Sequence, residues 1–273
     1  MCGRYVMARA TSDLVALGDA ETNEELVLRQ SWNVAPTAEV PILVAHADDV
    51  GAGVTRRIHV ARWGLVPPWA KELSVGSRAF NARSETVASK PTFRAAVRAR
   101  RCAVPVEGYY EWKTPEPGAK GPDGRAAKKQ PYYVHPAGAG DGEGPVIWFA
   151  GLYEWWQDPE AKAAGEDAWV LSTTILTMAA PDADDDDPVL AALGQLHDRL
   201  TVPMDAETMD RWLTPDTLGS AEEADALVGQ VCAGAYDVAA GWSLRPVGSA
   251  VGNVRNNGPE LIQEMREQQG TLL

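Results

Sequence analysis

The chain is short of several things, and each shortage narrows what it can be. Only three cysteines occur in 273 residues, Cys2, Cys102 and Cys232. Their spacing is that of neither a disulfide framework nor a zinc site, so no metal is expected, and no segment calls for a cofactor. Cys102 and Cys232 read as small buried hydrophobes. No apolar run is long enough to cross a bilayer, and the first residues lack the basic and apolar regions of a signal peptide. The expectation is a cytoplasmic protein with no membrane partner. Positive charge is scarce as well: 25 Lys and Arg face 38 Asp and Glu, a formal net charge of −13. That balance argues against a protein that coats duplex DNA by bulk attraction.

The scarcity is uneven. Residues 1–135 hold 19 Lys and Arg against 14 Asp and Glu, whereas residues 136–273 hold 6 against 24. A basic half can meet an anion while an acidic half stays solvated. The acidic run from Asp182 to Asp187, flanked by Pro181 and Pro188, reads as a solvated loop, because the glycine and terminal glutamate of an EF-hand loop are missing.

What is present begins at the second residue. The chain opens Met1-Cys2-Gly3-Arg4, and loss of the initiator methionine would leave Cys2 with an α-amine and a thiol on adjacent carbons. In a free peptide both groups titrate close to neutral pH, so a useful fraction of each is nucleophilic. Against an aldehyde they act in turn: the amine forms a Schiff base and the thiol closes a five-membered thiazolidine ring. Alone, a cysteine here is equally a residue of a frayed terminus. The apolar Tyr5-Val6-Met7 that follows is strand-like and can fix the terminus in a sheet.

Patterning then predicts many short strands with a few helices. A short helix follows Thr11-Ser12-Asp13 as N-cap and closes at Gly18. Strands are expected over 41–45 and 56–63 with a hairpin at 48–53, and over 102–106, 109–113, 132–135, 146–155, 169–177 and about 242–247. Residues 92–101 read as a helix with Phe93, Ala96 and Val97 inward and its arginines mostly solvated. Two more helices are expected at 205–213 and 221–232. Residues 114–130, 136–145 and 158–167 read as loops or flexible connections. No internal repeat occurs. The sum is α+β, a compact single domain over residues 1–257 with a curved, mostly antiparallel β core, peripheral helices and a tail at 258–273.

Four segments place polar residues where a core strand would not: Cys2-Gly3-Arg4, Asn81-Ala82-Arg83-Ser84-Glu85-Thr86, Glu107-Gly108-Tyr109-Tyr110-Glu111-Trp112-Lys113 and Leu196-His197-Asp198-Arg199-Leu200. With residues 32–37, 63–69 and Val251-Gly252-Asn253-Val254, in this order, they resemble the SRAP family, the SOS-response-associated peptidase or abasic-site processing proteins. Each segment alone is weak, but seven in order over nearly the whole chain are specific. The resemblance implies a covalent trap for abasic sites in single-stranded DNA, including strand junctions, with Cys2 as nucleophile and no required protein partner. Strand cleavage and self-removal of Met1 are companion activities it also implies, with the nucleoid as the place of work. By position in the motifs, Cys2, Asn81, Glu111 and His197 match the family's active-site residues.

The residues support these roles unequally. Glu111 alternates with Tyr110 and Trp112, so its carboxyl lies beside ring surface, a setting that suits a proton shuttle for Schiff-base formation. A plain edge-strand glutamate is an equal reading. His197 is the residue type that exchanges protons near neutral pH, or else a loop histidine bonded to Asp198. Asn81 orients the amine or sugar, or only stabilises its turn. For DNA, Arg4, Arg83 and Arg199 are phosphate partners and Pro36 is a further contact, while Trp63, Trp69 and Trp112 either stack on bases or pack in the core, as most of the tryptophans do. Trp69, held on a loop by Pro67-Pro68, is the best stacking residue; Ala70 follows it where the family often has a second bulky aromatic, which weakens any wedge. Two rivals remain. One is an N-terminal-nucleophile hydrolase such as a glutamine amidotransferase, with Asn257-Gly258 as its oxyanion dipeptide in a layered fold. The other is a non-catalytic single-stranded DNA-binding module.

Overall fold

In a computed structural model that describes residues 2–22, 26–47, 53–121, 124–138 and 144–265, two sheets share one apolar seam. The strands are β1 (Tyr5–Met7), β2 (Ser31–Val34), β3 (Glu39–Ala47), β4 (Val54–Trp63), β5 (Asn81–Arg83), β6 (Arg101–Val106), β7 (Gly108–Lys113), β8 (Gln130–Pro136), β9 (Ile147–Gln157), β10 (Trp169–Ala179), β11 (Arg199–Thr201), β12 (Pro203–Met204) and β13 (Trp242–Pro246). The helices are α1 (Thr11–Leu17), α2 (Arg94–Ala99), α3 (Pro159–Ala163), α4 (Pro188–Leu196), α5 (Ala206–Leu213), α6 (Ala221–Ala233) and α7 (Ala235–Ala240).

One sheet runs β13-β8-β7-β1-β2. The other runs β11-β10-β4-β3-β6-β9-β12, and the additional pairing of β9 with β10 closes β10-β4-β3-β6-β9 into a small barrel. Pairings are antiparallel except where β10 meets β4 and β5 in parallel. The fold is therefore the α+β single domain with a curved, mostly antiparallel core that the pattern predicts. No helix among the described residues is long and apolar enough to cross a membrane.

Closure explains the unbroken apolar runs. Val40, Ile42 and Val44 of β3 join the cluster that reaches Tyr5 and Tyr109, while Leu43 and Ala45 join a second cluster under α2, α5 and α6. Both faces of a barrel wall are covered, so period-two alternation disappears. Trp212 of α5 is fully buried, and its indole N–H donates to the carbonyls of Cys102 and Gly151 at 3.0 and 3.2 Å, which fixes α5 on the wall. Burying a side chain of this size contributes about 2–3 kcal/mol or more.

Some sequence expectations need correction. Thr11 lies inside the first turn of α1, whose N-cap is Ala10 with no side-chain cap; the Thr11 hydroxyl instead accepts from Leu28 N–H at 3.2 Å. Three of the four arginines in this stretch, read as mostly solvated, are engaged within the protein. Arg101 is buried, and its guanidinium donates to the carbonyls of Trp212, Val97, Arg98, Thr214 and Asp216. Arg98 donates to Leu218 and Gly219, and Arg100 pairs with Glu154 at 2.7 Å. The acidic run is more than a loop, since Asp187 accepts from Val189 and Leu190 N–H and so caps α4. Patterning misses α3, α4 and α7; each is short, or too apolar around its circumference to show a stripe. The hairpin expected at 48–53 falls largely outside the described residues, though β3 and β4 pair in antiparallel register up to Ala47 and Val54. In the segment expected to be a tail, Leu261 and Ile262 are buried against Val6, Tyr110 and Tyr133.

Candidate active site at the seam of the two sheets

The chain changes sheets between β6 and β7, at Glu107. Gly108 permits the crossing, because a Cβ there would meet the Tyr133 ring at 2.5 Å. Glu107 itself is buried, accepting from Ala8 N–H and facing Arg9 Nε at 3.4 Å, so it ties the start of β7 to the end of β1. The result is direct pairing of β1 with β7, Tyr5 opposite Tyr109, with Tyr110 N–H donating to the Arg4 carbonyl. The N-terminus is therefore strapped to the strand that carries Glu111.

Two barrel-side strands supply the opposite wall. Asn81 opens β5 beside β10, opposite Ile175, and His197 ends α4 just before β11, which pairs with the end of β10. Asn81 Nδ2 donates to the Cys2 carbonyl at 2.7 Å, and its buried Oδ1 has no hydrogen-bond partner among the described residues. Glu111 is buried, with one carboxylate oxygen 3.8 Å from His197 Nε2. The other imidazole nitrogen, Nδ1, lies 3.0 Å from Arg199 N and 2.7 Å from Asp198 Oδ1. A neutral ring accepting from Arg199 N–H carries its proton on Nε2, toward Glu111; a doubly protonated ring faces a carboxylate on each side. All four residues matched by motif thus meet at one place.

Cys2 is buried to 2% exposure, and its thiol lies 3.7 Å from the Arg4 carbonyl. Burial, then the Glu111 charge, push the thiol's pKa well up. Tyr109, buried beneath, is raised by burial and by its nearness to Cys2 and Glu111. A carboxylate next to a thiol and a phenol keeps protons in the cluster, so the resting site holds a thiol rather than a thiolate.

The six residues expected to touch DNA divide into groups. Arg83 and Trp69 are exposed, Trp69 to 62%. Pro36 and Trp112 are half-buried. Arg4 and Arg199 are engaged inside the protein: Arg4 donates to Asn33 Oδ1 and to the carbonyls of Val251 and Gly252, and Arg199 forms a two-pronged pair with Glu85 at 2.5 and 2.9 Å. Trp63 is wholly buried against Tyr5 and Phe80 and belongs to the core.

Patterning overlooks two residues here. Asn33 is buried and donates to the carbonyls of Val251, Asn253 and Asn256, so the Trp32–Thr37 and Val251–Val254 motifs turn out to be two halves of one clamp. Thr37 holds φ at +79°, an outlying value for a β-branched residue, with its N–H donating to the Trp63 carbonyl at 2.7 Å and its carbonyl receiving Arg62. Residues 32–37 form an ordinary turn in the sequence, and only the strain marks the ridge as special.

Residues 1–254 match the family described as SOS response associated peptidase (SRAP). The chain belongs to that family. It is similar to the abasic site processing protein YoqW of Bacillus subtilis (strain 168), 30% identical across 96% of this chain and 99% of that protein. It also resembles the abasic site processing protein HMCES of Rattus norvegicus, 26% identical across 85% of this chain and 64% of that protein. Among solved structures, a protein from Bacteroides thetaiotaomicron superposes with a TM-score of 0.69 over 97% of this chain and 100% of that one; at 20% identity this speaks to the fold alone.

Proposed function

We propose that the protein captures abasic sites in single-stranded DNA as a covalent thiazolidine on Cys2, after loss of Met1. The observation that carries this reading is the convergence of Asn81, Glu111 and His197 on the residue that offers an aminothiol. The relatives' names supply the lesion, and the site supplies the chemistry.

The reaction takes two steps. The α-amine of Cys2 adds to the ring-opened aldehyde of the sugar, and the adduct loses water to give an imine. The thiol then adds to the imine carbon; the new S–C bond closes the ring and the thiol proton passes to nitrogen. One water leaves and no redox change occurs. Because burial keeps the thiol protonated, the amine acts first. Asn81, anchored to the Cys2 carbonyl, offers its unfilled amide oxygen to an amine proton. Glu111 takes a proton from the attacking amine and returns it to the departing hydroxyl. His197, across from Glu111, serves the sugar by opening its ring and assisting strand cleavage or reversal.

The N-terminal amidotransferase reading loses its support. Asn257, half of the required oxyanion dipeptide, accepts from Trp32 N–H at 2.7 Å as part of the clamp on β2, and a barrel joined to a curved sheet is not the layered architecture those enzymes need. A purely reversible DNA-binding module would tolerate loss of the thiol.

Intact-mass measurement after incubation with an abasic oligonucleotide tests the proposal. The expected product is the chain without Met1 plus the oligonucleotide minus one water. Recovery of unmodified protein, or an adduct seen only after borohydride reduction, would overturn the thiazolidine. For His197→Ala, a time course should show slowed strand cleavage and crosslink reversal with final adduct yield little changed; a loss of yield alone would remove that residue from the sugar.

A further inference from the structure

A wide cleft lies beside the clamp rather than over Cys2. It encloses about 650 Å³ between β2, the strained turn and the start of β3 on one side and residues 254–257 on the other. Its walls are fixed in advance: Asn33 draws the 251–256 backbone inward through three carbonyls, and Asn257 Oδ1 receives Trp32 N–H. The floor includes Val34, Pro36 and the 56% exposed Val254. Arg29 and Arg255 stand at its edges, both exposed and with no acid within ion-pairing distance among the described residues. Arg4 and Arg199, which belong to the active-site motifs, are by contrast spent on protein acceptors. Among the described residues Glu39, exposed, is the single acid lining this cleft.

We infer that this cleft is a second nucleic-acid subsite, which seats the strand flanking the lesion with its phosphates on Arg29 and Arg255 and its bases against Pro36 and Val254. The inference rests on the proposed function and adds the path the DNA takes. Charge and shape favour this occupant: two guanidinium groups with no acid partner among the described residues border an apolar floor in a groove whose walls need no rearrangement. Continuity favours it too, since Asn33 in the floor holds Arg4, two residues from the nucleophile. A single strand is suited because its bases are free to lie on the floor while the backbone stays at the rim.

The test is equilibrium binding of the full-length protein to abasic strands with both flanks, and with each flank shortened in turn, across a salt series. The paired change Arg29→Gln and Arg255→Gln should reduce the logarithmic salt slope by about 1.4, at roughly 0.7 for each single-strand phosphate contact. The loss of affinity should vanish for the oligonucleotide that lacks one particular flank and persist for the other. Glu39→Gln should act in the opposite direction and strengthen binding of that same flank. Thermal unfolding of each variant guards against a folding defect, and the opposed signs of the two changes cannot both arise from one. If wild type forms adduct and binds both flanks while the arginine pair alters neither slope nor flank dependence, the cleft is not the path. Equal competition by a poly-glutamate peptide would also overturn it, by showing an unselective anion site. Absence of any DNA binding by wild type would instead strike at the proposed function.

Discussion

Two thiols in this protein are equally well hidden and differently surrounded. Cys2 and Cys102 are exposed to 2% and 0%, and burial drives both thiols' pKa values up, Cys102 to about 12 and Cys2 further. Cys102 lies on the barrel wall, its sulfur 3.5 Å from the Thr173 hydroxyl and its carbonyl taken by Trp212. Cys2 lies where the wall meets the five-stranded sheet, with Asn81 on its carbonyl and the Glu111 charge beside its sulfur. Burial makes a cysteine inert by itself. What distinguishes Cys2 is that neighbourhood, an amide on its carbonyl and a carboxylate beside its sulfur, on which the proposed chemistry rests.

The sharpest way to break this contrast is to remove each thiol. Cys2→Ala should abolish the heat-stable adduct completely and leave only a labile imine, read by intact mass with and without borohydride. Cys102→Ala should crosslink as wild type and lose about 1–2 kcal/mol of stability by denaturant titration. A stable adduct on the first variant, or none on the second, would assign the chemistry to the wrong sulfur.

Next in size is the carboxylate. Glu111→Gln keeps the shape of the site and removes its proton acceptor, so crosslinking should slow by about 10²–10⁴-fold in a single-turnover time course while DNA affinity holds. Wild-type rates across pH 5.5–8.5 would mean that Glu111 merely fills the seam. Asn81→Ala should have a smaller effect, about tenfold, the scale of one lost hydrogen bond of roughly 1–1.5 kcal/mol. The loss should appear in the imine-forming step, trapped by borohydride, rather than in ring closure. An equal loss in both steps would make Asn81 a support for the fold.

How far the sequence reveals this arrangement follows from what each residue is paid for locally. Strand positions and the helix at residues 92–101 follow from apolar spacing, and barrel closure does not, because the β9–β10 and β3–β6 pairings join segments that carry no register signal of their own. The four site residues are recoverable only as ordered motifs. Nothing in Asn81 or His197 taken singly separates a reacting group from a turn residue. The protein acceptors of Arg4 and Arg199 are not legible in the sequence, since a guanidinium's acceptors come from distant segments: Arg4 bonds at Val251 and Arg199 at Glu85. The same blindness hid Arg101, whose five carbonyl acceptors include three from residues 212–216.

The smallest effect concerns the inert thiol and sharpens the contrast from the other side. In the unfolded chain the Cys102 thiol ionises near 9.0, whereas burial holds its proton in the folded state up to about 12. Folding is thus favoured by the full amount below pH 9, and the contribution is lost as pH rises toward 12, because the unfolded state then binds fewer protons than the native one. The slope from a single thiol is at most about 1.4 kcal/mol per pH unit, and near zero at neutrality. Cys2 and the buried tyrosines Tyr5 and Tyr109 are shifted in the same direction, so absolute stability falls in alkali for several reasons. The difference between wild type and Cys102→Ala isolates one of them. Denaturant titrations at pH 7.5, 9 and 10 should show the wild-type advantage shrinking across the series. A constant gap would mean that Cys102 ionises without cost in the fold, and that its inertness comes from lack of access rather than from burial of charge.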